Sequence, residues 1–562
     1  IGICMNLAHL GLSGILAAQN RLQTAGHNIN NAATEGYNRQ NVLVQTAGAA
    51  NIGAGYIGRG VKAVTVQRAY DGFLFRQLVQ ARSDGASLVA YGSEITQINN
   101  LFADPTVGIS PALQKFFDGM QAVASAPADA AARQELLGRA NSLVGQINDA
   151  NRFLDEQRNN INTQITTVVK QINSYAERML DVNRQITVAR ATSDHEPNDL
   201  LDQRDQLYAE LTQLVDVKIS EQDGRFNLIM GNGQVLLGGN AVFPLQTIPS
   251  ADDPSRMAVA YTVQTPDAGR AVIEMDDARI SGGSLGGLLT YRSEALDSVQ
   301  NELGRLAVGL AVHFNAQHAE GTDLYGNTDT DLADFFSIGA PKVLPGASNT
   351  VSGLSVEFDD VNQLTGNDYR ISYDADSNEY LVTRIPDGTR VTLDASQPEH
   401  VLDGLRITLP TDQPGPVDSW LIQPTRASAA DIAVAITDPG RIAAAERSSD
   451  PANPVGPSNG DNALKLAELQ TLKLLGGHTM SFNEAFSQIV NKVGVLTQQN
   501  QTAAKAQESL IQQNLAAQQA LSGVNLDEEY MKLDLYQQQF QAASRLIDVS
   551  STLFDTLLGL RN

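Results

Sequence analysis

The stretch VNLDEEYMKLDLYQQQFQAASRLIDVSSTLFDTLLGL, residues 524–560, decides the fold. It contains no proline and no glycine before Gly559, and apolar or small residues recur at heptad spacing: Leu533, Phe540, Ile547 and Phe554, with Tyr536, Ala543, Ser550 and Leu557 three positions after each. This spacing predicts a coiled-coil seam of almost four heptads. At 1.5 Å per residue the helix would be about 55 Å long, and a rod of that length with one apolar stripe needs a partner helix.

The opposite end of the chain offers that partner. Residues 6–32 predict a helix whose apolar and small residues step by three and four: Ala8, Gly11, Ile15, Ala18, Leu22, Ala25, Ile29 and Ala32. The alternative is an ordinary amphipathic helix on a globular core. Pairing of the two ends predicts an assembly interface made by Ile15, Ala18, Leu22, Ala25, Ile29, Leu533, Tyr536, Phe540, Ala543, Ile547, Phe554 and Leu557.

Length and composition limit the class of protein. The chain has 562 residues and a formal net charge of −24, which argues against nucleic acid or an anionic membrane as its main partner. No apolar run reaches the length of a membrane span. The N-terminal apolar segment has helical period and no basic leader, so we expect no cleaved signal peptide. Cys4 is the only cysteine and precedes Met5, a plausible start, so disulfide scaffolds and thiolate metal sites are not expected.

The middle of the chain predicts a helical body interrupted by two β-rich insertions. Helices are predicted over 71–100, 111–124, 131–191, 199–215, 285–317, 462–475 and 481–521, and alternating strands over 217–275 and 327–424. The fold class is therefore α+β and multidomain, with a terminal coiled coil, a long-helix bundle and two inserted β-rich domains. We expect four domains: 5–60 with 511–562, 61–216 with 284–326 and 427–510, 217–283, and 327–426.

Two stretches almost 500 residues apart resemble one known family. NINNAATEGYNRQ (28–40) and SGVNLDEEYMKLDLYQQQFQAASRLIDVSSTLFDTLLGL (522–560) are similar to the two ends of the bacterial flagellar rod, hook and hook-associated proteins. The residues that carry this signature are Asn28, Asn31, Gly36, Tyr37, Arg39, Asn525 and Glu528.

Three internal stretches narrow the resemblance to the members that join hook to filament: NDLLDQRD (198–205), GGSLGGLL (282–289) and FNAQHAEGTDLYG (314–326). The resemblance implies a structural protein, not an enzyme, that self-assembles through its paired ends into a ring-like helical layer at the hook–filament junction. It implies as partners the hook protein, the second junction protein, and the filament cap and flagellin during assembly. An export chaperone on the C-terminal helix and an extracellular location after type III export are also implied. Another axial component, the second junction protein or the hook protein, is the alternative.

Other chemistry has weaker support, and no cofactor is expected. His313, His318, Glu320 and Asp323 could ligate a metal, but the two histidines are five residues apart and fall on different helix faces. The oxygen-rich stretch 323–331 lacks the order of a calcium loop. A carbohydrate-stacking face on the second β block, as in an adhesin, would use Trp420, Tyr369, Tyr373 and Tyr380, for which an ordinary β-domain core is the alternative.

Overall fold

A computed structural model describes residues 2–51, 55–102, 108–193, 195–222, 225–265, 269–328, 331–448 and 456–559. Eleven α-helices lie within the described residues, and their bounds are as follows: α1 Gly2–Asn30, α2 Gly72–Phe102, α3 Ile109–Ser125, α4 Ala130–Thr192, α5 Asn198–Thr212, α6 Gly283–Tyr291, α7 Asp297–Ala319, α8 Ser428–Asp431, α9 Asp461–Glu468, α10 Phe482–Ser522 and α11 Leu526–Gly559. The helices expected from periodicity are confirmed except in one place. The helix expected over 462–475 ends at Glu468, and the chain then passes through turns that include two positive-φ glycines, Gly476 and Gly477, before α10 begins.

The helical body is built around α4, which has 63 residues. Asp129 caps its first turn by accepting a hydrogen bond from the Ala131 N–H at 2.9 Å. Its heptad positions face the core, where Ile161, Ile165 and Ile172 are fully buried. α5 returns antiparallel beside it after a short turn, and α6 continues through a π-helical turn, Arg292–Leu296, into the largely buried α7.

The first β-rich insertion lies between α5 and α6. Its strands are β5 Val217–Gln222, β6 Arg225–Met230, β7 Val235–Gly238, β8 Ala241–Val242, β9 Leu245–Pro249, β10 Met257–Thr265 and β11 Gly269–Glu274. They form a sheet of order β5-β6-β7-β8 and a sheet of order β11-β10-β9. The Asn232-Gly233 turn joins β6 to β7 as predicted, with Gly233 at φ +91.

The second β-rich insertion follows α7. Its strands are β12 Gly321–Thr322, β13 Phe336–Ser337, β14 Lys342–Pro345, β15 Ser355–Phe358, β16 Asp368–Asp374, β17 Glu379–Ile385, β18 Arg390–Asp394, β19 Glu399–Leu402, β20 Leu405–Thr408, β21 Ser419–Gln423, β22 Ala433–Val434 and β23 Ala445–Glu446. A five-stranded sheet of order β14-β21-β16-β17-β18 packs against a three-stranded sheet of order β15-β20-β19. The remaining short strands pair as β12 with β23 and β13 with β22.

The four aromatic residues of the candidate stacking face lie in the core of this insertion. Tyr369, Tyr373, Tyr380 and Trp420 are each at most 4% exposed. Tyr380 packs against both Tyr373 and Trp420, with ring centroids 5.2 and 6.3 Å apart. The carbohydrate-stacking alternative is therefore wrong, because the rings it needs are turned inward.

Two smaller structures complete the fold. A hairpin between α1 and α2 pairs β1 (Gln40–Thr46) with β4 (Val61–Arg68), and β2 (Ala49–Asn51) with β3 (Tyr56–Gly58). Among the described residues, no helix is long and apolar enough to cross a membrane.

A buried ion network joins the body to both insertions. Arg158 of α4 donates to Asp297 of α7 at 2.9 Å, and Arg426 lies 3.3 Å from the same carboxylate. Arg256 of the first insertion also pairs with Asp297, and Arg426 also pairs with Asp368 of the second. Burial alone would raise the pKa of Asp297, but the surrounding guanidinium groups outweigh it and hold that pKa below its usual range.

Candidate assembly interface at the two chain ends

The two terminal helices pack side by side in opposite directions. A Cβ added to Gly11 would lie 2.6 Å from Cγ1 of Ile547, and one added to Gly14 would lie 3.0 Å from Cβ of Ala543. Farther along the pair, Arg21 donates to Oε1 of Gln539 at 3.1 Å, and Asn28 donates to Oε2 of Glu529 at 3.0 Å. Residue numbers therefore rise along α1 as they fall along α11. We name this antiparallel pair of α1 and α11 the terminal rod.

The predicted seam residues lie along this pair with one shift. Ala18, Ala25 and Ala543 are buried, and Ile15, Leu22, Ile29, Leu533, Tyr536, Phe540 and Ile547 are half-buried. The contacts of α1 with α11 given above are made at Gly11, Gly14, Arg21 and Asn28. Ala18 and Ala25 follow Gly11 at intervals of seven residues. Ala18 and Ala25 thus lie in a row of small residues that packs on α11, whereas the second row of contacts is one position before Ile15, Leu22 and Ile29. Small residues face the partner because only they allow the backbones to approach this closely.

The seam does not bury the last two predicted positions. Phe554 is 43% exposed and Leu557 is 46% exposed. Because Gly11 lies against Ile547, Phe554 falls opposite the first turn of α1, where the partner helix ends. Phe554 and Leu557 are therefore not covered by α1 within one chain, and their place in the assembly interface stays a prediction.

A buried polar cluster closes the rod at the end nearest the body. Glu529 is 1% exposed and accepts hydrogen bonds from Asn28 Nδ2 at 3.0 Å and Lys532 Nζ at 2.7 Å. The Tyr37 hydroxyl donates to Oδ1 of Asn28 at 2.7 Å, and the Gln40 N–H donates to the same atom at 2.9 Å. Burial, with the charges of Asp199, Asp202 and Glu529, raises the pKa of Tyr37, so the phenol remains a donor.

The other signature residues shape the turns around this cluster. Asn525 caps α11 by accepting from the Asp527 N–H at 3.0 Å, and Arg39 pairs with Glu528 at 3.1 Å. Asn31 Nδ2 donates at 3.0 Å to the His27 carbonyl, which also accepts the Asn31 N–H at 3.1 Å at the end of α1. Gly36 has φ +79 beside Gln206, a conformation that favours glycine.

Sequence reasoning missed Glu529, Asn38, Gln40 and Asp202. Glu529 lies seven residues before Tyr536, so extending the heptad one step back would have found a charge at a seam position that requires a partner. Asn38, Gln40 and Asp202 lie inside stretches already singled out, but their pairing joins residues more than 150 positions apart. No local periodicity carries such a contact.

A second apolar stripe on α11 faces away from α1. The stripe consists of five residues that are each between 41% and 67% exposed: Met531, Leu535, Leu546, Val549 and Leu553. With Ala542 included, successive members of the stripe are three, four or seven residues apart. At 100° per residue the stripe lies about a third of a turn round the helix from the seam. On α1, Leu12 and Leu16 are 48% and 52% exposed. The rod therefore presents apolar surface on more than one side.

The alternative chemical sites are occupied by structural contacts. Nε2 of His318 accepts the Ala443 N–H at 2.9 Å within the core, and Asp323 accepts from the N–H groups of Tyr325 and Asn327 in its own turn. Asp329, part of the oxygen-rich stretch, lies outside the described residues. Where the chain is described, no group of three or more His, Cys, Asp or Glu residues is placed to hold a metal ion.

Comparison with known proteins first defines the class. The family described as "Flagellar basal body rod FlgEFG protein C-terminal" matches residues 517–560, which include the whole of α11. Helix α11 of the terminal rod is thus similar to the C-terminal element of flagellar basal body rod proteins.

The rest of the chain identifies the particular family. "Flagellar hook-associated protein FlgK helical domain" matches residues 95–336, and "Flagellar hook-associated protein 1, D2-like domain" matches 344–424. The chain is 38% identical over 562 residues to flagellar hook-associated protein 1 of Salmonella typhimurium strain LT2, covering 99% of this chain and 100% of the relative. It is 35% identical over 559 residues to that of Escherichia coli K12, again covering 99% and 100%. The chain therefore belongs to the flagellar hook-associated protein 1 family.

A solved structure agrees with this assignment. The flagellar hook junction protein FlgK from Burkholderia pseudomallei superposes with a TM-score of 0.72 at 28% identity, covering 79% of this chain and 100% of that one. The chain is accordingly a structural protein of the flagellar hook–filament junction, with the α+β fold expected from its sequence.

Proposed function

We propose that the terminal rod is the assembly interface, through which copies of this chain pack side by side into a ring-like layer at the end of the hook. The observation that carries this proposal is the second apolar stripe of α11. A helix that is apolar on two sides must be buried on two sides, and α1 covers one of them. An exposed apolar strip on an otherwise acidic protein marks a protein interface.

The association between copies is heterologous. The α11 stripe and the exposed Leu12 and Leu16 of α1 lie on different faces, so a copy meets its two neighbours through different surfaces. Such contacts close into a ring or continue as a helix of subunits, which suits a tube. The rods line the inner channel, and the two β-rich insertions face outward. The net charge of −24 keeps the unassembled chain soluble.

The proposed division of the chain follows the same plan. Residues 5–60 with 511–562 form the rod domain, and 61–216 with 284–326 and 427–510 form the helical body. Residues 217–283 and 327–426 form the inner and outer β domains. Support for a separate outer β domain comes from the two hydrophobic clusters, because one spans the body together with the first insertion and the other follows the outer insertion.

The proposed partners are those that neighbour such a layer. The hook protein lies on one side and the second junction protein on the other, with the filament cap and flagellin passing or binding during assembly. Before export an assembly chaperone covers the apolar stripe of α11, and the chain leaves the cell by flagellar type III export without cleavage of an N-terminal signal. We infer no catalytic role, because the relatives are structural proteins.

The proposal is tested by complementing a strain that lacks the gene. We expect that strain to build hooks and to shed filament protein into the medium. The wild-type chain should restore filaments, whereas Leu535→Asp with Leu546→Asp should not, because two charges would enter the contact between neighbours. The control is Val401→Asp, which places a charge at a 62% exposed apolar residue of the outer β domain. Normal filaments with the double variant would contradict the proposal, as would loss of filaments with the control.

A further inference from the structure

The stretch NDLLDQRD (198–205) has a specific partner in the structure. It forms the start of α5, and Asp202 there is 5% exposed. Its Oδ2 accepts the Asn38 N–H at 2.9 Å, and its Oδ1 accepts Asn38 Nδ2 at 2.6 Å and Arg68 Nη1 at 2.8 Å. Asn38 follows α1 and Arg68 ends the hairpin, so one carboxylate of the body holds both segments that lead out of the rod.

The two neighbouring carboxylates extend this contact. Asp205 pairs with Arg68 at 2.8 Å, and Asp199 accepts from Gln40 Nε2 at 2.7 Å and lies 3.2 Å from His27 Nε2. The three aspartates are three residues apart along α5, so they follow one face of the helix. The contact between rod and body is thus made by charges and hydrogen bonds.

Among the residues that the structure describes, the rod and the body share no hydrophobic cluster. Within the described residues, neither hydrophobic cluster includes a residue of 7–69 or 524–559. The outer β domain differs: Val308 of α7 belongs to its core, and the buried Arg426 pairs with carboxylates of the body and both insertions. Interdigitated cores resist rotation, whereas polar contacts can re-form at a new angle.

Open space surrounds the polar contact. A groove of about 750 Å³ lies between α1, the hairpin and residues 195–200. Cavities of about 340 and 370 Å³ flank the turn of residues 32–38, one against α5 and the other also against α2 and the end of α10. The contact between rod and body is therefore not enclosed by packed side chains on these sides.

We propose that Asp199, Asp202 and Asp205 form a socket that holds the terminal rod at a set angle to the helical body and is the joint about which the rod turns. The outer β domain is fixed to the body, so a change in shape of the chain occurs at this socket. The three aspartates and Arg68 are positioning residues. The proposal concerns one copy of the chain and does not depend on assembly of the layer.

The test measures distances by double electron–electron resonance on the full-length protein in a Cys4→Ser background. Spin labels replace exposed residues in three pairs: Gln19 and Ser551 within the rod, Ser551 and Gln185 between rod and body, and Glu156 and Thr392 between body and outer domain. Arg68→Gln and Asp202→Asn each remove socket contacts. Arg68→Lys keeps the charge at the socket. Arg190→Gln is the matched control, because it breaks the exposed pair with Glu196, three residues before Asp199 in the sequence.

We expect Arg68→Gln and Asp202→Asn to broaden the rod-to-body distribution and leave the other two unchanged. Arg68→Lys should restore most of the narrow distribution, and Arg190→Gln should leave it narrow. A rod-to-body distribution that stays narrow in both socket variants would overturn the proposal. Equal broadening of all three distributions would overturn it too. A broad distribution within the wild-type rod would also overturn it, because the two terminal helices would then not be paired in the free chain.

Discussion

Three glycines of α1 allow the closeness of the terminal helices to be measured with one chemical change. At Gly11 an added Cβ would meet Ile547 Cγ1 at 2.6 Å and the backbone oxygen of Ala543 at 3.0 Å. At Gly14 it would meet only the Ala543 methyl group, at 3.0 Å, and at Gly26 it would meet nothing within 4 Å. Backbone atoms cannot move aside as a side chain can, so the cost should fall in the order Gly11, Gly14, Gly26.

The magnitudes follow from two opposing effects. Replacing glycine by alanine within a helix stabilises it by about 0.5–1 kcal/mol. Forcing a methyl group into a packed contact costs about 1–3 kcal/mol. Gly26→Ala should therefore stabilise the rod by up to about 1 kcal/mol. Gly11→Ala should be neutral or destabilising by up to about 2 kcal/mol after the helix gain is subtracted.

Hydrogen exchange of peptides from α11 in the full-length protein provides the assay, because local opening follows the stability of the pair. The propensity gain is common to both variants, so the steric difference of about 1–3 kcal/mol should make α11 exchange about 5- to 150-fold faster in Gly11→Ala than in Gly26→Ala. Gly14→Ala should fall between them. Equal exchange in the Gly11 and Gly26 variants would refute the close helix approach.

Three further predictions concern the helical body. Burial lowers the pKa of His318 from 6.5 to about 4, so the folded state favours the neutral ring. The contribution of this histidine to the free energy of unfolding should be complete above pH 6.5, and about 3 kcal/mol should be lost as the pH falls through 4. His318→Gln should remove that part of the pH dependence in urea unfolding, the exposed His9→Gln should not, and equal profiles would contradict the assignment. Arg426→Gln should destabilise the fold by about 3–5 kcal/mol because it leaves buried carboxylates unpaired. Arg152→Gln, which breaks an exposed pair with Asp149, should cost less than about 1 kcal/mol, and similar denaturation midpoints for the two would contradict the buried network. Gly304→Ala places a Cβ against the Thr425 carbonyl oxygen and should lower the melting temperature, whereas Gly138→Ala, with open space at its Cβ, should raise it slightly. A melting temperature unchanged in Gly304→Ala would show that α7 and Thr425 are not in contact.

Periodicity predicted much of this fold because long helices repeat a local rule many times. The seam of α11 and the core face of α4 both follow from apolar spacing, and the Asn232-Gly233 turn follows from glycine's access to positive φ. In α1 the same rule gave the small-residue row but misplaced its companion. Ile15 was assigned to the seam because it is the larger apolar residue. The close approach of the two helices instead requires the adjacent Gly14.

The polar contacts could not be predicted from spacing. Asp202 meets Asn38 across 164 positions, and Arg426 meets Asp368 and Asp297 because three separate parts of the fold converge there. Each of these residues, taken alone in the sequence, fits a solvated helix or turn. Only the folded chain gives a buried charge its partner, since desolvation makes the unpaired state costly.

Assembly through the terminal rod requires both chain ends together. Purified hooks that lack junction proteins can be incubated with the full-length chain or with a chain shortened to residues 31–525, and electron microscopy counts the hooks that acquire a distal layer. We expect a layer with the full-length chain and bare hooks with the shortened one, whose body should still show its own cooperative melting. Hooks covered equally well by the shortened chain would contradict the central role of the terminal rod.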